Sequence, residues 1–515
     1  MKTYDQLQVI EFLSWADSYG AGVDDVKKIE THISVVFLAG TQAYKLKRAI
    51  KYPYLDFSTL ELRHSTCMAE VSVNQRTAPG LYKGVVAITL DESGALSIGG
   101  EGDIVEWLVE MARFNEDTLF DRMELNAELM GTLAETIAHF HAAADPHPEI
   151  DSFEGLQETI TGNAASLSLI GTGIFDAAAF EAVCEMQRRA LQGAFGEKLK
   201  TRGKEGFVRH CHGDLHLRNI CLIDDQPTLF DAIEFNDTFA YIDVFYDLAF
   251  LLMDLDHRGQ RPLANIVLNR YLDITGDTDG LQCLPLLLSL RASIRSHVSA
   301  TAAGTQSSSV EAMHLAGEAR QYLEMAQHYL QPGKPMLIAV GGLSGSGKSR
   351  LARVLAGFVG AAPGARIIRS DVVRKTLAGV DPLSRLDAQG YSPQMSHRTY
   401  QAVFEQSRST LKGGHSVIAD AVFANPEERK TIAAIADDLG LAFHGLWLEA
   451  PAEVMEERVT QRTFNASDAD AAVVCQQLSY DLGVMEWDRI DSAGAKSATL
   501  DKALKALGLY TVSKG

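Results

Sequence analysis

The sequence predicts a chain of two domains, an N-terminal α+β domain with two lobes and a C-terminal α/β domain built on a parallel sheet. Strand patterns prevail up to about residue 115, and helical patterns follow from Asn126, as is typical of an α+β domain. A small, turn-prone stretch at 300–309 then precedes a new pattern of apolar strand, glycine loop and helix that starts at Pro335. A length of 515 residues gives room for two or more domains of ordinary size.

The breaks along the chain set the predicted domain boundaries. Apolar residues recur at helical spacing from Val310 to Leu330, and a Pro-Gly pair ends this helix. We therefore predict a first domain at residues 1–309, with a strand-rich lobe at about 20–115 and a helical lobe at about 116–309, then a linking helix and linker at 310–334, and a second domain at 335–515.

Composition and charge exclude several classes of protein. The chain is 46% hydrophobic, and it has no run of the ~18 apolar residues that a membrane helix needs. Residues Met1–Glu11 are too polar for a secretory signal, so we expect a cytoplasmic protein without a membrane partner. A net charge of −20 argues against binding to extended nucleic acid. The six cysteines form no CxxC pair, which argues against a cysteine metal site, and the oligomeric state stays open.

The strand-rich lobe is predicted to begin with a hairpin. His32–Gly40 and Gln42–Ala49 are apolar, β-branched runs on either side of a Gly-Thr turn. Leu81–Leu90 and Ile104–Phe114 have the pattern of further strands, and Thr59–Asn74 has that of a helix.

A kinase-type catalytic loop is indicated in the helical lobe. His212–Asn219 (HGDLHLRN) fits H-x-D-x-x-x-x-N, in which the aspartate accepts a hydroxyl proton and the asparagine holds a metal ion. Asp214 and Asn219 occupy those two positions. Asp231, in the predicted strand Thr228–Ala232, follows at a spacing that suits a second metal ligand.

The preceding strands offer groups for nucleotide binding. Lys45 and Lys47 alternate on one face of the second strand, so either could reach the α- and β-phosphates of ATP, and we prefer Lys45. Glu70, on the predicted helix, is the expected ion-pair partner of that lysine. Glu106–Met111 is expected to hold adenine through backbone hydrogen bonds.

The motifs HGDLHLRN and LFDAIEFN make the region from about Val23 to Leu255 resemble the aminoglycoside phosphotransferase and choline-kinase-like family. The resemblance implies a protein-kinase-like bilobal fold. It also implies these roles: Asp214 is the catalytic base, Asn219 and Asp231 are metal ligands, His212 braces the loop, Glu234 assists metal binding, and Asp243 and Asp247 are loop-bracing carboxylates.

A P-loop opens the C-terminal domain. Gly342–Ser349 (GLSGSGKS) matches G-x-x-x-x-G-K-S and lies between an apolar strand and a predicted helix at Ser349–Phe358. In this motif Lys348 reaches the β- and γ-phosphates, and the Ser349 hydroxyl binds Mg²⁺. The phosphate cradle is expected to comprise Gly342, Ser344, Gly345, Ser346, Gly347, Lys348 and Ser349.

Two aspartates follow further strands of the same domain. Asp371 comes directly after Ala365–Arg369, where a substrate-hydroxyl base would stand, and Arg374 one turn later could hold an acidic substrate group. Asp420 ends the strand Val417–Ala421, where it could orient Mg²⁺. The residue after Asp420 is not a glutamate, which disfavours a motor ATPase of the AAA type.

Two arginines suggest a lid over the phosphates. Arg458 and Arg462 lie four residues apart on a predicted helix, Pro451–Arg462, so both cations share one face. They could neutralise transition-state charge, or they could pair with glutamates on the helix surface (Glu453, Glu456 and Glu457).

The motifs GLSGSGKS, RSDVVRK, VIADAVF and ERVTQRTFNASDAD make the region from Pro335 to about Leu507 resemble P-loop kinases of the polynucleotide-kinase and zeta-toxin-like group. The resemblance implies ATP-dependent phosphorylation, with Asp371 as base and Arg462 as lid arginine. Together, the two halves resemble the bifunctional aminoglycoside phosphotransferase/ATP-binding proteins.

The function predicted from these motifs is ATP- and Mg²⁺-dependent phosphotransfer at two kinase-type sites, to hydroxyl groups of small molecules whose identity the sequence leaves open. Two alternatives remain. One domain could be catalytic while the other binds nucleotide as a regulator, or the C-terminal domain could phosphorylate a nucleotide or a nucleic-acid end.

Overall fold

The computed structural model describes residues 5–52, 54–169, 174–306, 308–380, 384–461 and 468–509. Contacts divide the chain into two compact units, one of Met1–Thr159 with Leu199–Asp254 and one of Ile160–Lys198 with Leu255–Gly515. The helices before the P-loop strand therefore group with the C-terminal sheet. The domain boundaries predicted from the sequence, at 309 and 335, stay a prediction.

The strands, in chain order, are β1 (Val26–Glu30), β2 (Ser34–Ala39), β3 (Gln42–Lys47), β4 (Lys51–Tyr52), β5 (Leu55–Asp56), β6 (Tyr82–Leu90), β7 (Leu96–Ile98), β8 (Asp103–Ala112), β9 (Val208–His210), β10 (Ile220–Ile223), β11 (Gln226–Leu229), β12 (Tyr241–Asp243), β13 (Met336–Gly341), β14 (Arg366–Arg369), β15 (Val417–Asp420), β16 (Ala442–Glu449) and β17 (Asp488–Asp491).

The α-helices are α1 (Gln6–Leu13), α2 (Leu60–Asn74), α3 (Ala127–Ala143), α4 (Ser152–Leu169), α5 (Ala177–Gln192), α6 (Ala194–Lys204), α7 (Asp237–Ala240), α8 (Val244–His257), α9 (Arg261–Thr275), α10 (Leu284–Thr305), α11 (Ser309–Tyr329), α12 (Lys348–Ala356), α13 (Ser370–Leu377), α14 (Pro393–Lys412), α15 (Pro426–Leu439), α16 (Ala452–Thr460), α17 (Ala471–Leu478) and α18 (Lys496–Ala506).

The first unit is built on an antiparallel sheet with the strand order β1-β2-β3-β8-β6-β7. The predicted hairpin is confirmed as β2 and β3, with Gly40 at a positive φ in the turn. Alternate residues of β8 point to opposite faces of the sheet, and other elements pack against each face. Leu108 packs with Val9 of α1, whereas Val109 packs with Val71 of α2.

The central position of β8 overturns one expectation. This strand pairs with β3 on one side and with β6 on the other, so the backbone of Glu106–Met111 is committed to the sheet. The prediction that these residues hold adenine through their backbone is therefore wrong. The Glu106 side chain is buried as well, with an oxygen 2.8 Å from Arg63 Nε.

The second unit contains a parallel sheet with the order β14-β15-β13-β16-β17, which confirms the predicted parallel sheet. Its core lies on both faces, as parallel sheets require. Ile338 and Val340 of β13 pack with α12 and α18, while Leu337 and Ala339 pack on the opposite face with α14 and α15.

The predicted break at 300–309 is shorter in the structure. Helix α10 continues to Thr305 and α11 begins at Ser309, with the Ser308 side chain as its N-cap. The small residues that suggested a turn remain helical because α10 and α11 pack closely along their length. Among the residues that the structure describes, no helix combines the length and apolarity that crossing a membrane requires.

A buried ion pair ties α6 to the start of α8 in the first unit. Arg202 is fully buried, with Nε 2.8 Å from Asp243 Oδ2 and Nη2 3.0 Å from Asp243 Oδ1. Asp243 also accepts the backbone N–H of Phe245 at 2.8 Å. Asp243 thus braces α6 against the start of α8, whereas the resemblance implied that it braces the catalytic loop.

Asp243→Ala is expected to lower the free energy of unfolding of the first unit by about 3–5 kcal/mol, because it removes the carboxylate that neutralises a buried guanidinium. Urea denaturation of the full chain measures this change. Lys51→Ala is the matched control, since it removes an ion pair whose lysine is 70% exposed, and should change stability by less than about 1 kcal/mol. Equal effects of the two substitutions would contradict the bracing role.

Candidate active sites

The kinase-type loop of the first unit presents an accessible carboxylate. The Asp214 side chain is 37% exposed, and its Oδ2 lies 2.9 Å from Asn219 Nδ2 and 3.3 Å from His216 Nε2. Asn219 Nδ2 also donates to the Asp214 carbonyl at 3.0 Å, which fixes the amide in place. The loop therefore brings Asp214 and Asn219 together as predicted, with the Asn219 amide oxygen as the group that a metal could use.

Buried residues brace this loop from behind. Asp247 accepts the backbone N–H groups of His212 and Gly213 at 3.0 and 2.8 Å, and it lies 3.1 Å from His141 Nε2. His212 Nε2 donates to the Phe230 carbonyl, 2.9 Å away, which links the loop to the segment that contains Asp231. Burial lowers the pKa of His212, so the ring is neutral at physiological pH and serves as a brace, as the resemblance implied.

Asp231 lies beyond the strand in which it was predicted. β11 ends at Leu229, and Asp231 adopts a left-handed φ of 62°. Its backbone N–H donates to the Tyr82 hydroxyl at 3.1 Å, and the next N–H, of Ala232, donates to Asn74 Oδ1 at 2.9 Å. These two contacts from β6 and α2 hold a backbone conformation that is unfavourable for an aspartate.

Lys45, Lys47 and Glu70 form a buried charge cluster. Lys45 Nζ lies 2.8 Å from Glu70 Oε1 and 2.5 Å from Asp231 Oδ1, whereas Lys47 Nζ bonds the other oxygen of Glu70 and Glu234. Lys45 is 11% exposed and Lys47 only 2%. Burial alone would raise the pKa of Glu70, but the two ammonium groups outweigh it and lower that pKa. The expected pair of Lys45 with Glu70 is present.

Glu234 faces Lys47 and is nearly buried. Burial raises its pKa, and the Lys47 ammonium opposes that effect. A direct role for Glu234 on a metal would require it to leave this partner. In this structure Glu234 belongs to the charge cluster, and the metal-assisting role that the resemblance implied stays a prediction.

Strand register brings the P-loop and both aspartates of the second unit to one edge of the sheet. Val340, which precedes the P-loop, pairs with Asp420, and Asp420 pairs with Arg369. Asp371 follows Arg369 directly and lies in the first turn of α13. Because the strands are parallel, their carboxyl ends coincide, and these groups share one cleft of about 1490 Å³.

The P-loop backbone has the conformation that phosphate binding needs. Gly342, Gly345 and Gly347 have φ of 142°, 84° and 97°, a region open to glycine alone at low cost. A Cβ on Gly345 would lie 2.4 Å from the Met455 carbonyl oxygen, so no other residue fits there. Among the residues that the structure describes, the buried Ser346 hydroxyl has no hydrogen-bond partner, so this polar group could bond a ligand.

Ser349 and Asp420 are the residues predicted to hold Mg²⁺ in this domain, and that role stays a prediction. Ser349 and Asp420 both line the cleft, and Lys348 Nζ lies 3.0 Å from the Leu343 carbonyl oxygen at the base of the loop. Burial raises the pKa of Asp420, against the opposing effect of Arg369, whose Nε lies 3.6 Å from Asp420 Oδ2. A hydroxyl and a carboxylate are oxygen donors that suit a hard divalent cation.

The Arg374 side chain already contacts neighbouring residues of the protein. It is buried, with Nη1 3.0 Å from the Gly390 carbonyl and 3.2 Å from Ser396 Oγ, and its guanidinium stacks on Tyr391. Asp371, by contrast, is half-buried and lines the cleft. The acid-binding role of Arg374 stays a prediction.

The two arginines proposed for a lid have different outcomes. Arg458 Nη2 donates to the Ser492 carbonyl at 2.8 Å, and Nη1 lies 3.4 Å from the Gly345 carbonyl. Arg458 thus lines the P-loop cleft and donates to backbone carbonyls rather than to surface glutamates, and its role toward transition-state charge stays a prediction. Arg462 lies outside the described residues.

Several residues that support the two sites carry no motif. Asp254 accepts the backbone N–H of Leu217 at 3.1 Å in the first unit. Gln477 accepts the N–H of Ser344 at 2.7 Å in the second. The Asp468 carboxylate accepts hydrogen bonds from the Leu386 N–H, the Tyr391 hydroxyl and Lys375 Nζ. All of these contacts join residues far apart in sequence, so no local pattern could have revealed them.

Two family models match the chain. The model described as the phosphotransferase enzyme family matches residues 96–284, and the model described as an AAA domain matches residues 337–480. The first range contains the catalytic-loop motif, and the second contains the P-loop and Asp420. The expectation that the C-terminal domain is not a motor stays a prediction.

Related proteins match along nearly the whole chain. An uncharacterized protein of Mycobacterium tuberculosis is 30% identical over 488 residues, which cover 92% of this chain and 94% of that protein. An uncharacterized protein of Mycobacterium bovis matches to the same extent. The likeness therefore extends over both family ranges.

Among solved structures, a gluconokinase from Sinorhizobium meliloti is 22% identical, with a TM-score of 0.25 over 34% of this chain and 93% of its own. Amicoumacin kinase hAmiN is 13% identical, with a TM-score of 0.37 over 62% of this chain and 94% of its own. The family models and the mycobacterial relatives establish that this chain is a kinase, and that it belongs to the family in which a phosphotransferase domain precedes a P-loop kinase domain.

Proposed function

We propose that the chain uses both domains as separate catalytic sites, each of which transfers the γ-phosphate of ATP to a hydroxyl group of a small molecule. Kinases of these families use ATP with a divalent metal ion. The observation that carries the proposal is that each unit has an accessible aspartate beside a separate set of phosphate- and metal-binding groups. A purely regulatory domain would not need such a base.

In the N-terminal site, Asp214 would accept the proton of the acceptor hydroxyl. Its exposure and its hydrogen bond from Asn219 support this role, because the carboxylate is both reachable and oriented. Asn219 and Asp231 would hold Mg²⁺ through their oxygens.

Lys45 is the better candidate for contact with the phosphates. It is the more exposed of the two lysines and reaches Asp231, a proposed metal ligand. Lys47 is enclosed between Glu70 and Glu234, so its charge is used within the protein. We therefore assign Lys47 to holding Glu70 in position.

In the C-terminal site, the P-loop N–H groups and Lys348 would hold the phosphates, and Asp371 would accept the proton of the acceptor. Ser349 and Asp420 would hold Mg²⁺, which supplies charge neutralisation to the phosphoryl group when bound. Arg462 remains the proposed lid arginine on sequence grounds alone. The acceptors of both sites, a cytoplasmic location and the oligomeric state stay open to experiment.

Asp214→Asn and Lys348→Met should each remove a distinct part of ATP turnover when the protein is tested against a panel of hydroxyl compounds. Each loss should be roughly 10²-fold or more, since a positioned base or phosphate cation contributes that much. Coupled detection of ADP measures the turnover. Asp214→Asn keeps the size of the side chain and removes only the base.

The controls are Glu92→Gln and Lys505→Met, which change exposed residues outside both sites and should retain full turnover. If Asp214→Asn leaves all turnover intact while Lys348→Met abolishes it, the N-terminal domain is a regulator. If both variants retain wild-type turnover on every compound, the two-site proposal fails.

Lys45→Met and Lys47→Met should separate catalysis from stability. Lys45→Met should abolish N-terminal turnover in a folded protein, because Lys47 still neutralises Glu70. Lys47→Met should lower the free energy of unfolding by about 3–5 kcal/mol, because it leaves buried carboxylates short of a cation. Urea denaturation and ADP release measure the two effects.

Adding Glu234→Gln to Lys47→Met should recover part of the lost stability, since the second change removes the carboxylate left without its partner. The same Glu234→Gln change added to Lys45→Met should recover nothing. Equal recovery in both backgrounds would contradict the assignment of Lys47 to the buried pair.

A further inference from the structure

Two buried asparagines of α9 lie against the outer edge of β14, and both elements belong to the second compact unit. Asn269 Oδ1 accepts the backbone N–H of Ile367 at 2.7 Å, and its Nδ2 donates to the Ala365 carbonyl at 3.1 Å. Asn265 Nδ2 donates to the same carbonyl at 3.0 Å. Neither asparagine is more than 7% exposed.

These contacts replace a missing neighbouring strand. β14 is the last strand of the parallel sheet, so one side of its backbone faces away from β15. Arg366 N–H bonds the Ser416 carbonyl on the sheet side, while Ile367 N–H points to the outer side. A carboxamide offers the same donor and acceptor as a peptide group, so Asn269 satisfies a buried edge that would otherwise be left unpaired.

Further contacts join α9 to β14, to α12 and to the loop that follows α12. Arg366 Nη1 lies 2.7 Å from Asp273 Oδ1, which adds a nearly buried ion pair between α9 and β14. A Cβ on Gly357 would lie 2.8 Å from Pro262 Cα, so this glycine permits the close approach of α12 to the start of α9. Arg261 Nη2 donates to the Gly360 carbonyl at 2.6 Å. The contact is a packed, polar interface along the length of α9.

The outer edge of β14 matters for the C-terminal site because residues of that site follow the end of this strand. The strand ends at Arg369, which contacts Asp420, and the next two residues start α13 with Asp371. Any shift of β14 therefore moves Asp371 relative to the P-loop, which stands on the separate strand β13. Chemical steps of this kind depend on sub-ångström placement of the base.

We propose that Asn269 is a positioning residue of the C-terminal phosphotransfer site, and that α9 completes this site from outside the P-loop sequence. Asn269 holds β14 through Ile367, and β14 in turn sets the place of Asp371. The inference rests on the proposed role of Asp371. Helix α9 lies within residues 96–284, which match the phosphotransferase family, so one family range supplies a part of the other range's site.

The test uses the full chain with Asp214→Asn, so that ATP turnover reports the C-terminal site, and water serves as the acceptor. Asn269→Leu keeps the side-chain size and removes both hydrogen bonds to the strand backbone, together with the side-chain contacts to Arg366 and Asn265. It should lower kcat about tenfold and leave the KM for ATP within about twofold, because the P-loop itself is unchanged. Amide hydrogen exchange of peptides covering β14 should rise at least about tenfold, with no change in peptides covering β13.

Two further variants sharpen the result. Asn269→Asp retains the oxygen that accepts Ile367 N–H and should restore most of the exchange protection and kcat. Thr275→Ala, an exposed position on the same helix whose hydroxyl bonds within α9, should behave as the parent protein.

The proposal is overturned if Asn269→Leu leaves β14 exchange unchanged, or if exchange rises equally in β13, which would indicate general loss of stability. It is also overturned if β14 loosens while kcat stays constant. Absence of ATP turnover in the Asp214→Asn parent, with β14 still loosened by Asn269→Leu, would instead count against the proposed function of the C-terminal site. That pattern would leave the role of Asn269 at the strand edge confirmed by exchange.

Discussion

The pairing of Asp420 with Val340 on one side and Arg369 on the other is the constraint on which the C-terminal site depends. Parallel strands in this register end together, so the three segments that follow them leave the sheet at one edge. The P-loop, Asp371 and Asp420 meet for that reason, although about eighty residues of chain lie between the start of the P-loop and Asp420. Side-chain contacts then refine positions that the backbone has already brought close.

The N-terminal site reaches a similar end by a different route. Its sheet is antiparallel, and no common strand edge gathers the catalytic groups. Charge does so instead, because Glu70 is buried between two lysines and one of these reaches Asp231. A buried carboxylate is costly unless cations satisfy it, so the cluster tolerates few alternative arrangements. The same chain thus contains one site ordered mainly by backbone register and one ordered mainly by buried charge.

The difference between local motifs and long-range contacts explains how much of the two sites could be predicted from the sequence. The P-loop, the HGDLHLRN loop and the strands around them were predicted correctly because each is a local pattern whose chemistry requires a fixed spacing. The preference for Lys45 over Lys47 had no local signal to support it, because the contact that separates the two lysines is with Glu234, which lies far along the chain. The adenine-binding expectation for Glu106–Met111 failed because strand order, which decides whether β8 is central or at an edge, has no local signal. Asn269 resembles any other helical asparagine until its partner strand is known.

The outer edge of β14 also bears on solubility. An unpaired strand edge offers a row of donors and acceptors to any other extended chain, and folded proteins protect such edges with charges, bulges or covering elements. Here α9 covers the edge, with Asn265 and Asn269 occupying the hydrogen bonds that a foreign strand would use. A P-loop domain separated from this helix would expose the open edge of the strand RIIR. The helix therefore protects the sheet from aggregation by strand addition, a hazard that would arise whenever proteolysis or truncation removed it.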